Sequence, residues 1–149
     1  MIFSKSVQNA HTYCNFAPMK NRAGLHFIQE LKEKRLFDLY LLMKRSGKYS
    51  SFVEICRELE ITPMPIHYIS YYRANIVYKE YFLRGRTVKY RHLPKTILYN
   101  SFILTCKKLM KQGLTDTDDI ICKALLSKAP CIGNSESQIR RILRKQGAH

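Results

Sequence analysis

The sequence predicts an all-α fold, a compact helical domain with two tandem helix-turn-helix-like units. Apolar residues recur at helical spacing, polar and glycine residues stand where helices should begin and end, and a unit in the middle of the chain recurs in its second half. No sustained alternation of apolar and polar residues indicates a sheet, although residues 87–90 could form one short strand. The length of 149 residues suits one domain, or two very small ones that share a core.

The two similar units lie at residues 54–85 and 120–147. Each reads as a short helix, a turn containing proline and a second helix that begins after a serine, which is the plan of a helix-turn-helix. With one residue deleted in the turn, the aligned pairs are Cys56 with Cys122, Leu59 with Leu125, Ser70 with Ser135, Ala74 with Ile139 and Val77 with Ile142. The alternative is an ordinary helical bundle, because amphipathic helices share residue types by chance.

The helices can be placed in order along the chain. The first follows from apolar residues between Leu25 and Met43 and stops before Gly47. In the capping box Ser51-x-x-Glu54, serine and glutamate side chains satisfy backbone N–H groups, so a second helix begins there. Ser70 can cap a third helix that ends before Gly85.

Three further helices complete the prediction. Pro94 suits the first turn of a helix that ends before Gly113. Acidic residues from Asp118 onward favour the next helix start, because they complement the helix dipole. Ser135-x-x-Gln138 again has the form of a capping box. The predicted division is a flexible basic arm at 1–23, a helical core with the first unit at 24–113, and the second unit at 114–149.

The charge of the chain predicts a polyanionic partner. Lys and Arg number 26 against 11 Asp and Glu, a net charge of +15. Glu80 is the only acid between Ile61 and Met110, so the positive charge is concentrated there. Phosphates release counterions when Lys and Arg neutralise them, which favours nucleic acid, with DNA preferred over RNA. An acidic protein or an anionic membrane could serve the charge equally well.

Two sets of residues are the candidate nucleic-acid contacts, because second helices of helix-turn-helix units enter the major groove. In the second unit the candidates, with both Arg140 and Arg141 expected to be exposed, are Gln138, Arg140, Arg141, Arg144 and Lys145. In the first unit and the linker after it they are Tyr72, Arg73, Asn75, Lys79, Arg84, Arg86, Lys89 and Arg91. Tyr72 and Tyr90 could also stack on unpaired bases, which keeps a single-strand or RNA binder open. The alternative for each set is a solvated helix surface.

Enzymatic activity is not predicted, and no cofactor or metal site is. No Ser/His/Asp order, glycine-rich phosphate loop or metal-ligand spacing stands out. The five cysteines are odd in number and lack C-x-x-C spacing, so they predict neither a zinc site nor a disulfide framework. The cysteines fit reduced thiols, and no apolar run could cross a bilayer or act as a signal peptide. We therefore expect a cytoplasmic protein without a membrane partner, with a virion as the alternative location.

One segment resembles a known family. Within Thr62-Pro63-Met64-Pro65-Ile66-His67-Tyr68-Ile69-Ser70, the residues Pro63, Pro65, Tyr68 and Ser70 match the P-A-P-R-F-Y-V-S-like signature of small uncharacterised proteins from Bacteroidetes and their phages. Ala129-Pro130 and Ser135 resemble a weaker second signature of that family. The resemblance implies a mobile-element or phage setting and assigns no site residue. A regulator is the role that the helix-turn-helix-like units and their basic surfaces favour. The competing hypothesis is an accessory or structural subunit of a nucleoprotein machine or virion, with a protein partner on the 25–46 helix.

Overall fold

The computed structural model of the protein describes residues 23–149, which form six helices and no strand. The helices are α1 (Ala23–Ser46), α2 (Phe52–Ile61), α3 (Tyr71–Phe82), α4 (Leu93–Lys111), α5 (Thr117–Leu125) and α6 (Glu136–Lys145). The all-α prediction is confirmed. The predicted arm at 1–23 lies almost entirely outside the described residues.

Local sequence signals fix the helix starts. The Ser51, Ser70 and Asp116 side chains each accept a hydrogen bond from the backbone N–H three residues later. Before α6, Ser135 and Gln138 form the complete predicted capping box. The Ser51 box is only half formed, because the Glu54 carboxylate accepts from the backbone N–H of Ser50 at 2.8 Å.

The described chain is built from two three-helix repeats, α1–α3 and α4–α6. The helix caps Ser51 and Asp116 are 65 residues apart, and so are the caps Ser70 and Ser135. The same spacing pairs the buried residues Ile55 with Ile120, Cys56 with Ile121, Leu59 with Ala124, Ala74 with Ile139 and Val77 with Ile142. This register needs no deletion, so the expected pairings of Cys56 with Cys122 and of Leu59 with Leu125 are replaced.

The helices of one repeat pack on those of the other, so the two repeats are not separate units. Helix α2 packs most extensively on α6, and α5 packs on α3, while the long helices α1 and α4 each pack on the short helix that follows them. Each contact has an equivalent in which the two repeats change places: α2 on α6 corresponds to α5 on α3. Approximate two-fold symmetry requires such a correspondence. The finer prediction, two tandem helix-turn-helix units, is therefore not confirmed, since α2, α3 and α6 each pack most extensively on a helix of the other repeat.

Met64 and Ala129 mark the approximate two-fold axis. They form an antiparallel bridge in which each backbone N–H donates to the other residue's carbonyl, both at 2.9 Å. These residues are also 65 apart, so Met64 of the first repeat pairs with the equivalent position of the second. Polar contacts across the repeats flank the bridge: the backbone N–H of Glu136 donates to the Glu60 carboxylate at 2.7 Å, and the Tyr71 hydroxyl donates to Asp118.

The core is one cluster that draws on all six helices and the turns between them. Leu36 of α1 and Phe102 of α4 are fully buried. Cys56, Cys106 and Cys131 are buried free thiols, and burial raises the pKa of each.

His67 joins three segments of the core. Its side chain is fully buried, with Nδ1 2.8 Å from the Ser127 carbonyl and Nε2 2.9 Å from the Ser101 hydroxyl. Burial lowers the pKa of the imidazole. The neutral ring with the proton on Nδ1 satisfies both contacts, donating to Ser127 and accepting from Ser101. These contacts give His67 a structural role.

We expect the free energy of unfolding to decrease as the pH falls below about 6.5, the ordinary pKa of histidine. The pKa of His67 is lower in the folded state, so the unfolded chain takes up a proton first and is favoured by acid. Urea denaturation at neutral and mildly acidic pH measures this loss. His67→Gln is the matched control, because its amide can make both hydrogen bonds without titrating. An equal pH dependence in that variant would assign the effect to other groups.

Candidate nucleic-acid interface

Helix α6 presents basic residues on a side that its packing leaves exposed. Ile139, Ile142 and Leu143 are buried and hold α6 against the rest of the molecule. The other side forms an open groove of about 560 Å³. We call it the basic groove; its lining residues are Ser137, Arg140, Arg141, Arg144 and Lys145. Among the described residues, no acidic side chain lines this groove.

The basic residues of the groove differ in freedom. Arg141, Arg144 and Lys145 are exposed, and the Arg144 guanidinium lies 5.5 Å from the centre of the Phe52 ring. Arg140 is half-buried, and its Nε lies 4.0 Å from the Glu136 carboxylate. The expectation that Arg140 and Arg141 are both exposed is therefore wrong for Arg140. Three of the four basic side chains of the groove are therefore exposed, and none of these three pairs with an acid in the described residues.

Gln138 is occupied by its role in the helix cap. Its side-chain oxygen accepts from the Ser135 backbone N–H at 3.1 Å and from the Asn134 amide at 3.2 Å. A glutamine reads adenine with both its oxygen and its nitrogen, so a side chain whose oxygen is already bonded must break the cap to do so. Ser137 and Arg141 are better placed to approach bases, because both line the basic groove.

Helix α3 is the equivalent of α6 in the first repeat and carries fewer exposed charges. Arg73 and Lys79 are exposed, whereas Tyr72 and Asn75 are half-buried. Lys79 occupies the position equivalent to Arg144 at the same spacing of 65 residues. The α3 surface is therefore a weaker counterpart of the basic groove.

The linker between α3 and α4 carries the remaining predicted contacts. Arg84 is exposed and forms an ion pair with Glu80, one helical turn earlier. Arg86, Lys89 and Arg91 are exposed. Tyr90 is half-buried, with its ring centre 4.6 Å from that of Tyr99 and 4.9 Å from the Lys95 ammonium. Stacking on an unpaired base would have to compete with these contacts.

The chain matches no protein-family model, no curated protein and no solved structure. Within residues 23–149, no helix is both long and apolar enough to cross a membrane. The same part of the chain holds no cluster of three or more His, Cys, Asp or Glu side chains that could bind a metal ion. The fold and the distribution of charge are therefore the basis for a proposal about function.

Proposed function

We propose that this protein binds nucleic acid, with duplex DNA as the preferred ligand, through the basic groove of α6. The main support for this proposal is the basic groove itself. Four basic side chains line it, and no acid is among the described residues of its lining. Burial of Ile139, Ile142 and Leu143 fixes the helix that presents them. A basic helix surface of this kind can follow a row of phosphates while its first turns approach base edges.

The linker at residues 83–92 is the proposed second contact. Its exposed Arg86, Lys89 and Arg91 add positive charge that is not paired within the described residues. Contacts of this type strengthen binding to any duplex, because they meet phosphates. Sequence preference would instead come from Ser137 and Arg141 in the basic groove. A regulator, the role that the basic helix surface favours, requires such a preference. The signature resemblance adds only a phage or mobile-element setting.

Replacing Arg141, Arg144 and Lys145 by glutamine should weaken duplex DNA binding by about 10²-fold near 0.1 M salt. Arg144 and Lys145 are the expected phosphate contacts and Arg141 is a base contact. At about 0.9 for each lost phosphate contact, the slope of log affinity against log salt should become shallower by about 1.8. Fluorescence anisotropy titrations at several salt concentrations measure both quantities. All three side chains are exposed, so the variant should retain the wild-type melting temperature.

The matched control replaces Lys34, Arg45 and Lys48, three exposed bases associated with α1, by glutamine. It removes the same charge from another part of the surface. Equal weakening in the control and the groove variant would show that only the net charge matters, and the assignment to the basic groove would be lost. Single-stranded DNA and RNA in the same titrations test the choice of duplex DNA.

A protein partner is the second candidate function, and exposed apolar side chains favour it. Leu93 and Leu104 of α4 are 69% and 64% exposed, and Ile97 lies between them along the helix. The 25–46 helix, predicted to contact a partner, exposes Phe27 and Leu42 in α1. An accessory subunit should bind any nucleic acid without sequence preference or not at all. Absence of binding at low salt in the anisotropy experiment would favour this candidate.

A further inference from the structure

A cavity of about 250 Å³ lies between the two repeats. We call it the axial cavity, because equivalent residues of the repeats line it together: Tyr68 with Gly133, Ile69 with Asn134, and Arg73 with Gln138. It is distinct from the basic groove, whose lining it does not share. Its volume is slightly below the ~300–1,000 Å³ typical of sites for drug-sized ligands, which suits a small ligand.

Three basic side chains from three helices meet at this cavity. Lys32 comes from α1, Arg73 from α3 and Lys95 from α4, and the described residues that line the cavity include no acid. None of the three forms an ion pair with an acid within residues 23–149. Like charges that gather without a counter-charge repel one another, so an empty cavity is electrostatically unfavourable.

The protonation of Lys32 reflects this environment. Its pKa is lowered to about 8, first by burial and then by the positive charge of Lys95. Glu33 acts in the opposite direction, and the positive charge of Arg73 makes the smallest contribution to the lowering. The pKa of Lys95 is lowered by burial and by Arg73. Lys32 still carries its proton at neutral pH, so all three groups are available to an anion.

The turns around the cavity favour an anion as well. Helices α3 and α6 begin beside it, since Ser70, the cap of α3, and Gln138, in the first turn of α6, both line it. The positive ends of two helix dipoles therefore add to the three side-chain charges. This follows from the two-fold arrangement, which brings the equivalent helix starts together.

Asn134 supplies a specific polar contact. It lines the cavity, and its Oδ1 is buried without a hydrogen-bond partner among the described residues. The orientation of its amide follows from Gln138, whose oxygen accepts from the Ser135 N–H and so requires the Asn134 nitrogen to face it. A suitable ligand has negatively charged oxygens for the three cations and also an O–H group that can donate to Asn134 Oδ1. A singly protonated phosphate has both, whereas sulfate at neutral pH has no O–H.

We propose that the axial cavity binds a phosphate group through Lys32, Arg73 and Lys95, with Asn134 accepting a hydrogen bond from it. The phosphate is the free ion, because a terminal monoester of a nucleotide or nucleic-acid end has a second pKa of about 6 and has lost its O–H at neutral pH. This goes beyond the proposed function, because a protein that binds no duplex could still hold phosphate here.

The test is the thermal stability of the full chain, titrated with sodium phosphate or sodium sulfate in otherwise phosphate-free buffer at constant ionic strength. Phosphate should raise the melting temperature with a saturable dependence, and sulfate should do so less. Lys32→Gln should raise the dissociation constant for phosphate at least about tenfold. In phosphate-free buffer the same variant should melt no lower than wild type, since a repelled, partly buried charge has been removed.

Lys79→Gln, an exposed lysine on α3 outside the cavity lining, is the matched control and should keep the wild-type response. The proposal is overturned if phosphate gives no saturable shift, or if Lys32→Gln responds as wild type does. Short oligonucleotides distinguish the sources of the phosphate group. We expect competition by neither a 5′-phosphorylated oligonucleotide nor its 5′-hydroxyl counterpart. Competition by the phosphorylated oligonucleotide alone would identify a nucleic-acid end and would overturn the O–H contact assigned to Asn134.

Discussion

A fragment that ends at Gly113 is expected to remain unfolded. It keeps α1–α4 but removes α5 and α6, on which α3 and α2 pack most extensively. Four large side chains that are completely buried would be missing from the core: Ile121, Ile132, Ile139 and Leu143. At roughly 1.5–3 kcal/mol for each buried aliphatic side chain, their removal costs roughly 6–12 kcal/mol. This is comparable to the roughly 5–15 kcal/mol by which a whole domain is stabilised.

Far-ultraviolet circular dichroism with thermal unfolding measures this directly. The fragment should show weak helicity and no cooperative transition, and an equimolar synthetic peptide of residues 114–149 should restore both. The result also tests the predicted division at 24–113 and 114–149. A cooperative transition in the fragment alone would establish residues 24–113 as an independently folding unit and would contradict the importance of packing between repeats.

The sequence was sufficient to place the helices because their ends depend on local chemistry. Ser70 and Ser135 cap helices as predicted, and the one feature of the Ser51 box that differs involves its immediate neighbour Ser50. The packing partners could not be read in this way. An amphipathic pattern shows which side of α2 is buried, but α6 and α3 offer similar apolar surfaces to it.

The candidate site was predicted in part for the same reason. Exposed bases on α6 follow from the positions that the apolar residues leave free, and Arg141, Arg144 and Lys145 lie there. Arg140 departs from the expectation because Glu136, on the same helix, lies beside it. That contact depends on side-chain conformations, which the spacing of residue types does not determine.

Lys32 is a cavity residue that the spacing of apolar residues in α1 indicates. It lies four residues after Ile28 and four before Leu36, both buried, so it interrupts the apolar side of α1. Pairing the fully buried Leu36 with the fully buried Phe102 relates α1 to α4 by 66 residues, one more than the spacing of the later helices. In that register the equivalent of Lys32 is the buried Leu98. A charged residue at an apolar position of a repeat is costly unless a partner compensates it. Such an interruption indicates a site even without homologous sequences.

Gly133 is the second position where comparison of the repeats explains the sequence. It does not stand at a helix end, and its equivalent in the first repeat is the large residue Tyr68. Gly133 has a φ of 91°, and a Cβ built there would lie 2.6 Å from Cδ2 of Leu98. Leu98 is only 2% exposed, so its side chain has little room to move away. Both the backbone conformation and the available space therefore require glycine.

Gly133→Ala is expected to lower the free energy of unfolding by roughly 2–5 kcal/mol. About 1–2 kcal/mol comes from placing a Cβ at positive φ, and about 1–3 kcal/mol from overpacking against Leu98. Chemical denaturation measures the sum. Gly147→Ala is the matched control, since Gly147 has a φ of 89° but its Cβ would meet nothing within 4 Å. It should cost only the backbone part.

The double variant Gly133→Ala with Leu98→Ala isolates the contact between the two residues. Leu98→Ala alone should destabilise the protein by about 2–5 kcal/mol, because it removes a buried side chain. If the clash is real, the double variant should be more stable than the sum of the single effects implies, by about the 1–3 kcal/mol assigned to overpacking. Strict additivity would mean that Leu98 does not restrict position 133. The requirement for glycine would then come from backbone conformation alone, and Gly133→Ala should cost no more than Gly147→Ala.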